Sequence, residues 1–334
     1  ACDENSVGEL LNSIHSNLVA PVFTHTEQSQ RVIVSMGVSE LYTPGSSLEE
    51  LLRQSRIALA GLNHSHEHGY LQYGAVVNQQ LNRYYSIVDA FKGALKARTI
   101  NIHYQPVVSA VTNRIVGVEA LARWTHPFLG PLSPSEFIPI VEEQSLEREL
   151  GRYVIEEVGL VMAEIKNRGI HPISFSINLC PTELQDKELV SHLVETLDRH
   201  NLEHRHLIIE LTERTLLHDL NQANRVLDEL HANGIEVAID DFGTGFSSLK
   251  YLHELNVDII KIDRSFIKDY PDDEGAIFRA MVGMTKELNI PIMAEGIETN
   301  EQLHFIQNLQ VPFYQGFLFS KAIDKDALLA LLSS

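Results

Sequence analysis

From about residue 100 onward, short apolar runs alternate with stretches whose apolar residues recur every three or four positions. The runs are ISFSI (173–177), LIIE (207–210), VAID (237–240), DIIK (258–261) and PIMAE (291–295). One helical stretch carries Leu150, Val154, Ile155, Val158, Val161, Met162 and Ile165. A second carries Leu216, Leu220, Ala223, Val226, Leu227 and Leu230 and stops at Gly234. A third carries Ile277, Phe278, Met281, Val282 and Leu288, opened by Asp272 and Asp273. Continuous apolar runs separated by amphipathic helices are the pattern of parallel strands buried on both faces. The expected class is α/β, most simply a TIM-like βα barrel. NIHYQPVV (101–108) and RIVGVEAL (114–121) break the pattern, because only Ser109 to Asn113 separate them. A parallel crossover needs about a dozen residues, so these two strands pair antiparallel and the barrel opens with a hairpin.

Residues 1–80 read differently, as a small α/β segment too short to be a complete α/β domain. Helical spacing covers 8–19, a strand covers Val32–Gly37 and a second helix covers Leu48–Leu62. A helix around Ile87, Val88, Phe91, Ala94 and Leu95 leads into the barrel, and Pro44-Gly45-Ser46-Ser47 reads as a surface loop. The expected division is 1–80 and 85–334.

Composition narrows the class. Of 334 residues 44% are apolar and 21% charged, which excludes low-complexity and disordered chains. The 26 Lys+Arg against 45 Asp+Glu leave a formal net charge of −19. That balance argues against tracking along DNA or RNA and, taken alone, against any anionic ligand. Cys2 and Cys180 cannot build a disulfide framework and suit a reducing compartment. No run approaches the roughly 20 apolar residues of a membrane span, and ACDENSVGELL, with no basic or apolar region, does not read as a signal peptide. The expectation is a cytoplasmic domain, which leaves a membrane anchor in its parent protein open.

The chemistry lies at the ends of the apolar runs. Glu119 comes after IVGV, Asn178 after ISFSI, Glu210 after LII, Asp240 and Asp241 after VAI, Lys261 after DII and Glu295 after PIMA. In a βα barrel the carboxyl ends of the strands converge on the face that carries the site. Five carboxylates meeting there would repel, and divalent metal relieves the repulsion. An all-oxygen donor set favours Mg²⁺ or Mn²⁺ over Zn²⁺. One acidic residue at a strand end can simply be solvated or cap a helix. That reading does not account for so many strand ends with a lysine among them. At a strand end both Asp240 and Asp241 can reach a metal pair about 4 Å apart, the geometry of two-metal phosphodiester hydrolysis.

Weaker signals surround this set. DFGTGFSS (241–248) contains Gly243 and Gly245, which permit positive φ beside the acidic pair, although a plain turn would read the same. Glu213, three residues past Glu210, can orient a neighbouring loop. Arg123 can fork onto a phosphate at the rim or make an ordinary surface ion pair. His64, His66 and His68 read as a solvated loop, Cys180 as packing, and Trp124 and Phe128 as loop core.

The ordered motifs YQPVV (104–108), EALARW (119–124), NLCP (178–181), ELTE (210–213), DDFGTGFSSL (240–249), KIDRSFI (261–267), AEGIET (294–299) and QGFLFSKA (315–322) resemble the EAL-domain cyclic di-GMP phosphodiesterases. The resemblance covers about residues 85–334 and implies a TIM-like barrel with one antiparallel strand. It also implies hydrolysis of cyclic di-GMP to linear pGpG with two Mg²⁺ or Mn²⁺ ions. Glu119, Asn178, Glu210 and Asp240 resemble the ligands of one metal, and Asp240, Asp241 and Glu295 those of the other. Lys261 resembles the residue that holds the nucleophilic water, and Glu295 the general base. Gln105, Leu121, Arg123 and Gln315, with Glu298 nearby, resemble substrate contacts, and Glu213 the anchor of the DFGTG loop. A homodimer through the barrel and an upstream sensory module in the parent protein are further implications.

Departures from the family pattern are Cys180 for Ser, Phe246 for Tyr and Ala322 for Pro, none of them a matched ligand. The alternative within the same family is a catalytically silent receptor for cyclic di-GMP, against which the full set of carboxylates speaks. ACDEN (1–5) and VIVSMGVSE (32–40) resemble the distal half of a degenerate GGDEF domain, so no cyclase activity is expected. With acid concentrated at the strand ends and offset by metal, the net charge no longer argues against a small anionic ligand.

Overall fold

The computed structural model describes residues 4–18, 22–23, 29–30, 34–39, 47–65, 69–244, 255–272 and 274–333. It divides into two compact units, residues 1–91 and 92–334. No helix among the described residues is long and apolar enough to cross a membrane.

The first unit contains α1 (Glu4–Leu18), the antiparallel pair β1 (Val22–Phe23) and β2 (Ser29–Gln30), β3 (Ser35–Val38), α2 (Leu48–Ser65) and β4 (Gly69–Gln72). β3 and β4 are parallel, with α2 as their crossover. A Cβ on Gly37 would run into the backbone of Ser55 and Leu59, so only glycine lets α2 lie this close to β3. The strand expected from Val32 is described from Ser35, since residues 32 and 33 lie outside the described residues, as does Pro44-Gly45-Ser46. α3 (Ala75–Lys96) carries the chain across the boundary.

The second unit opens with the hairpin β5 (Ile100–Ser109) and β6 (Ile115–His126), followed by β7 (Gly130–Leu132), α4 (Pro134–Glu143) and α5 (Glu147–Asn167). Next come β8 (Ser174–Asn178), α6 (Leu189–Arg199), β9 (Leu207–Thr212), α7 (Glu213–His218), α8 (Leu220–Ala232) and β10 (Glu236–Phe242). β11 (Ile259–Ile262), α9 (Ala276–Glu287), β12 (Ile292–Ala294), α10 (Asn300–Asn308), β13 (Phe313–Gln315) and α11 (Lys325–Leu332) complete it. The order β5-β6-β8-β9-β10-β11-β12-β13 returns to β5 and closes a barrel of eight strands, with β7 added on β6. β5 is antiparallel to both neighbours, and the other barrel pairings are parallel. The tight turn expected before Arg114 is made by Asn113, whose φ of 55° suits an asparagine. Its carboxamide Oδ1 accepts the Tyr314 hydroxyl at 3.1 Å, tying the turn to β13.

Strand residues that face outward, such as Ile209, Val237, Ile260 and Ile292, are buried beneath helix residues such as Leu227, Leu230, Phe278 and Ile306. Three local expectations need correction. The helix read through Leu216–Leu230 is two helices, because the Asp219 carboxylate takes the Gln222 N–H and starts α8 afresh. Apolar periodicity keeps its phase across such a break and does not reveal it. The third helix begins at Ala276 behind Gly275, at φ 60°, rather than at Asp272; Asp273 lies outside the described residues. Trp124 is buried on β6, edge-on to Phe137, while Phe128 is 93% exposed at the β6–β7 turn, so only one of the two belongs to the core.

Leu227→Ala should lower barrel stability by about 2–5 kcal/mol, because a fully buried side chain leaves a cavity. Phe128→Ala should stay within about 0.5 kcal/mol. Urea denaturation of both variants checks the contrast.

Candidate functional site

Strand register assembles the site. Gln105 lies opposite Glu119 in the hairpin, and Asn178 lies beside Glu210. Glu119, Glu210 and Asp240 do not end their strands: β6 runs on to His126, β9 to Thr212 and β10 to Phe242. A charged residue need not interrupt a strand when its side chain enters the barrel and finds partners there.

The partner is Lys261, which is fully buried. Its Nζ lies 2.6 Å from Glu210 Oε2, 2.8 Å from Glu295 Oε1, 2.9 Å from Asp240 Oδ1 and 3.5 Å from Glu119 Oε2. Glu119 is held from two further sides. Asn178 donates Nδ2–H to its Oε1 at 2.8 Å, and Gln315 donates Nε2–H to its Oε2 at 2.7 Å. Asp240 Oδ1 touches the ammonium out of line for a hydrogen bond, and the buried Glu210 Oε1 and Gln315 Oε1 accept none among the described residues.

Asp241 reaches the same side through a local irregularity. Neighbours on a regular strand point to opposite faces. Here Asp241 has a φ of 52°, and the register between β10 and β11 slips between Ile239 and Phe242. This bulge turns both aspartates to one side. Carboxylate oxygens of Asp240, Asp241 and Glu295 lie within 4.8 Å of one another, as do those of Glu119, Glu210 and Asp240. Asp240 is common to both groups.

Five carboxylates around one ammonium leave four negative charges uncompensated if all are ionised. Burial, ahead of neighbouring charge, pushes the Glu210 carboxyl well above its usual range and Glu295 up to about 8. Asp241 rises as well, by burial and then by Asp240 and Asp263. Burial alone would lower the Lys261 ammonium, but Glu119, Glu210, Glu295 and Asp240 together hold it well above its ordinary value.

The remaining sequence candidates are distributed around this centre. Leu121 and Arg123 succeed Glu119 at alternate positions of β6, both half-buried. Arg123 Nη1 donates to Ala122 O at 2.9 Å, and burial lowers its guanidinium from the ordinary value. Glu213 is buried, and its Oε2 accepts the Gly243 N–H at 3.3 Å. Gly243 has a φ of 94°, and a Cβ there would strike Met281 and Phe266. Gly245 and Phe246 lie outside the described residues, as do His66, His68 and the side chain of His64. Glu298 is exposed, and its N–H caps α10 through Gln302 Oε1 at 2.7 Å; its carboxylate is not among the groups drawn around Lys261. Cys180 is largely buried, and burial pushes its thiol up to about 12.

Two supporting acids are not apparent from the sequence. Glu183 Oε2 accepts the Cys180 N–H at 2.8 Å, and Glu147 Oε1 accepts the Thr182 hydroxyl at 3.2 Å, so both hold the loop after Asn178. A Cβ on Gly151 would overlap the Glu183 carboxylate, so the glycine of α5 makes its place. Nothing in the local sequence distinguishes these residues from helix-cap acids.

A closed βα barrel with a lysine inside a ring of carboxylates defines a protein with an oxygen-rich, cation-seeking centre. The model of the EAL domain family matches residues 88–322, and the chain belongs to that family. It is 34% identical over 302 residues to the bifunctional diguanylate cyclase/cyclic di-GMP phosphodiesterase MucR of Pseudomonas aeruginosa, covering 90% of this chain and 44% of that protein. It is 30% identical to the cyclic di-GMP phosphodiesterase NbdA of the same species, covering 88% and 38%. The chain thus spans less than half the length of these curated relatives. The solved PaMucR phosphodiesterase in complex with c-di-GMP superposes with a TM-score of 0.69 at 37% identity, covering 72% of this chain and 99% of that one.

A carboxyl that titrates near 8 when folded, against about 4.5 when unfolded, keeps its proton only in the folded state across that window. Folding stability of the metal-free protein should therefore fall as pH rises from about 4.5 to 8. Glu295→Gln should flatten that slope, as read by thermal denaturation in chelator.

Proposed function

We propose that the chain hydrolyses cyclic di-GMP to linear pGpG in a metal-dependent reaction, through the centre around Lys261. The observation that carries this reading is the surplus of negative charge at two overlapping groups of carboxylate oxygens that share Asp240. Membership of the EAL family supports the choice of substrate. The donors fit divalent Mg²⁺ or Mn²⁺: all are oxygens, and the buried Glu210 Oε1 accepts no hydrogen bond among the described residues. Glu119, Asn178, Glu210 and Asp240 would hold one ion, Asn178 through the Oδ1 left by its bond to Glu119. Asp240, Asp241 and Glu295 would hold the second. Two such ions would neutralise the ring, orient a phosphodiester and make water nucleophilic near neutral pH.

The residues of the chain do the rest. Leu121 offers apolar surface to a guanine, and Arg123 a fork for a phosphate. Gln105, across from Glu119 in the hairpin, and the exposed Glu298 would serve as substrate contacts. Gln315, already bonded to Glu119, steadies that carboxylate beside the substrate. Lys261 holds the attacking water and faces the charge that builds on the phosphate. Glu295, whose carboxylate stands beside Lys261 and Asp241, takes the proton of that water. Oxygen adds to phosphorus, the P–O3′ bond breaks, and the leaving 3′-oxygen takes a proton from solvent while Glu295 gives its own back to solvent. Glu213 holds the chain just after β10 through the Gly243 N–H. The proposal extends to a 1–80 degenerate GGDEF-like scaffold, an 85–334 catalytic domain, a homodimer through the barrel and an upstream sensory module.

Incubation with cyclic di-GMP and Mg²⁺ or Mn²⁺ should release pGpG on chromatography, and EDTA should stop it. Tight binding without product would make the chain a receptor instead. Glu119→Ala and Asp240→Ala should abolish measurable turnover while circular dichroism stays unchanged. Lys261→Ala should cost about 10²–10⁴-fold in kcat, a loss comparable to that of a general acid or base, because the attacking water would no longer be positioned.

A further inference from the structure

The barrel is hollow beneath its acidic ring. Barrel interiors of this type are ordinarily filled by layers of bulky branched side chains. Here Gly117, Ser176 and Ala238 occupy inward positions, and a cavity of about 360 Å³ remains between them and Ile208, Met293 and Phe313. Register makes these positions one continuous lining: Ala238 pairs with Glu210, Ser176 with Ile208, and Met293 with Phe313. Glu210 closes the inner end. Glu236 and Asp258, at the start of β10 and just before β11, stand at the other end, on the opposite face from the carboxyl ends of the strands.

The two mouth carboxylates differ in their commitments. Asp258 Oδ2 accepts from His231 Nε2 at 2.8 Å and from the Val237 N–H at 2.7 Å. Glu236 is half-buried, and its carboxylate makes no hydrogen bond or ion pair among the described residues. Burial and the nearby Asp258 both disfavour its charge, and His231 offsets them only in part. A half-buried carboxylate with no hydrogen-bond donor among the described residues, at the lip of a largely apolar hollow, suits a cationic donor attached to an apolar body. Size agrees. An apolar cavity of about 150 Å³ already takes benzene in another protein, so this one has room for a ring with a short side chain.

We propose that the lower half of the barrel is a binding site for a compact apolar amine, its body among Ile208, Met293 and Phe313 and its ammonium on Glu236. The site opens on the face opposite the one proposed for cyclic di-GMP, shares Glu210 with that centre at its inner end and does not depend on turnover there.

The test uses phenethylamine as the probe and ¹³C-methyl methionine NMR of the whole chain. Phenethylamine should shift the Met293 methyl resonance saturably. Glu236→Gln should weaken the amine about tenfold while leaving the affinity for the uncharged 2-phenylethanol unchanged. Ala238→Leu, checked as folded by its methyl spectrum, should abolish binding of both. The proposal is overturned if the Met293 methyl is unmoved up to the solubility of the probe, which would mean a hollow filled only by water. A shift confined to the Met281 and Met284 methyls, or equal weakening of amine and alcohol by Glu236→Gln, would overturn it as well.

Discussion

A fully buried ammonium constrains everything around it. Lys261 has no exposure to solvent, and an unpaired charge in that position would be prohibitively costly. Its partners come from β6, β9, β10 and the residue after β12, and Glu119 lies 142 positions away in sequence. Only a closed barrel brings such distant residues around one atom. The arrangement then overshoots: the carboxylates that stabilise one cation carry more charge than it can balance. The same excess makes the lysine difficult to neutralise and makes the ring a natural seat for further cations.

Departures from regular geometry concentrate where chemistry is needed. The left-handed backbone of Asp241 and the slip between β10 and β11 are unfavourable locally, yet they alone turn two successive carboxylates to one side. The antiparallel β5 has a comparable effect, since its register sets Gln105 directly across from Glu119. Gly151 and Gly243 answer to close approach, one to the Glu183 carboxylate and the other to Met281 and Phe266. In each case the glycine matters for what lies against it.

Charge also reads differently at two scales. Across the chain, −19 opposes contact with long polyanions. At the ring the excess acid is confined to a few ångströms, where two divalent ions would balance it. Below the ring, small inward residues leave the barrel unfilled, so the floor of the site is less tightly packed than its walls.

Much of this was legible in the order of residues. Alternating apolar runs and helical stretches required parallel strands, and five residues between 108 and 114 required the hairpin. The acids and the lysine after those runs identified the converging face, because strand direction in a βα barrel decides which end carries the site. Other features were not legible, for reasons of range. Apolar periodicity passed over the break at Asp219, and the three-residue β13 was too short to register although it closes the barrel. Glu183 and Glu147 have the look of helix-cap acids in sequence, yet the loop after Asn178 hangs on them. Sequence alone determined the residue types, their order and the class of fold, since these arise from local pattern and connectivity. The tertiary structure alone decided that Lys261 lies inside the ring, that Asp241 turns toward Asp240 and that the lumen is hollow. Those depend on distances between strands, which no local pattern encodes.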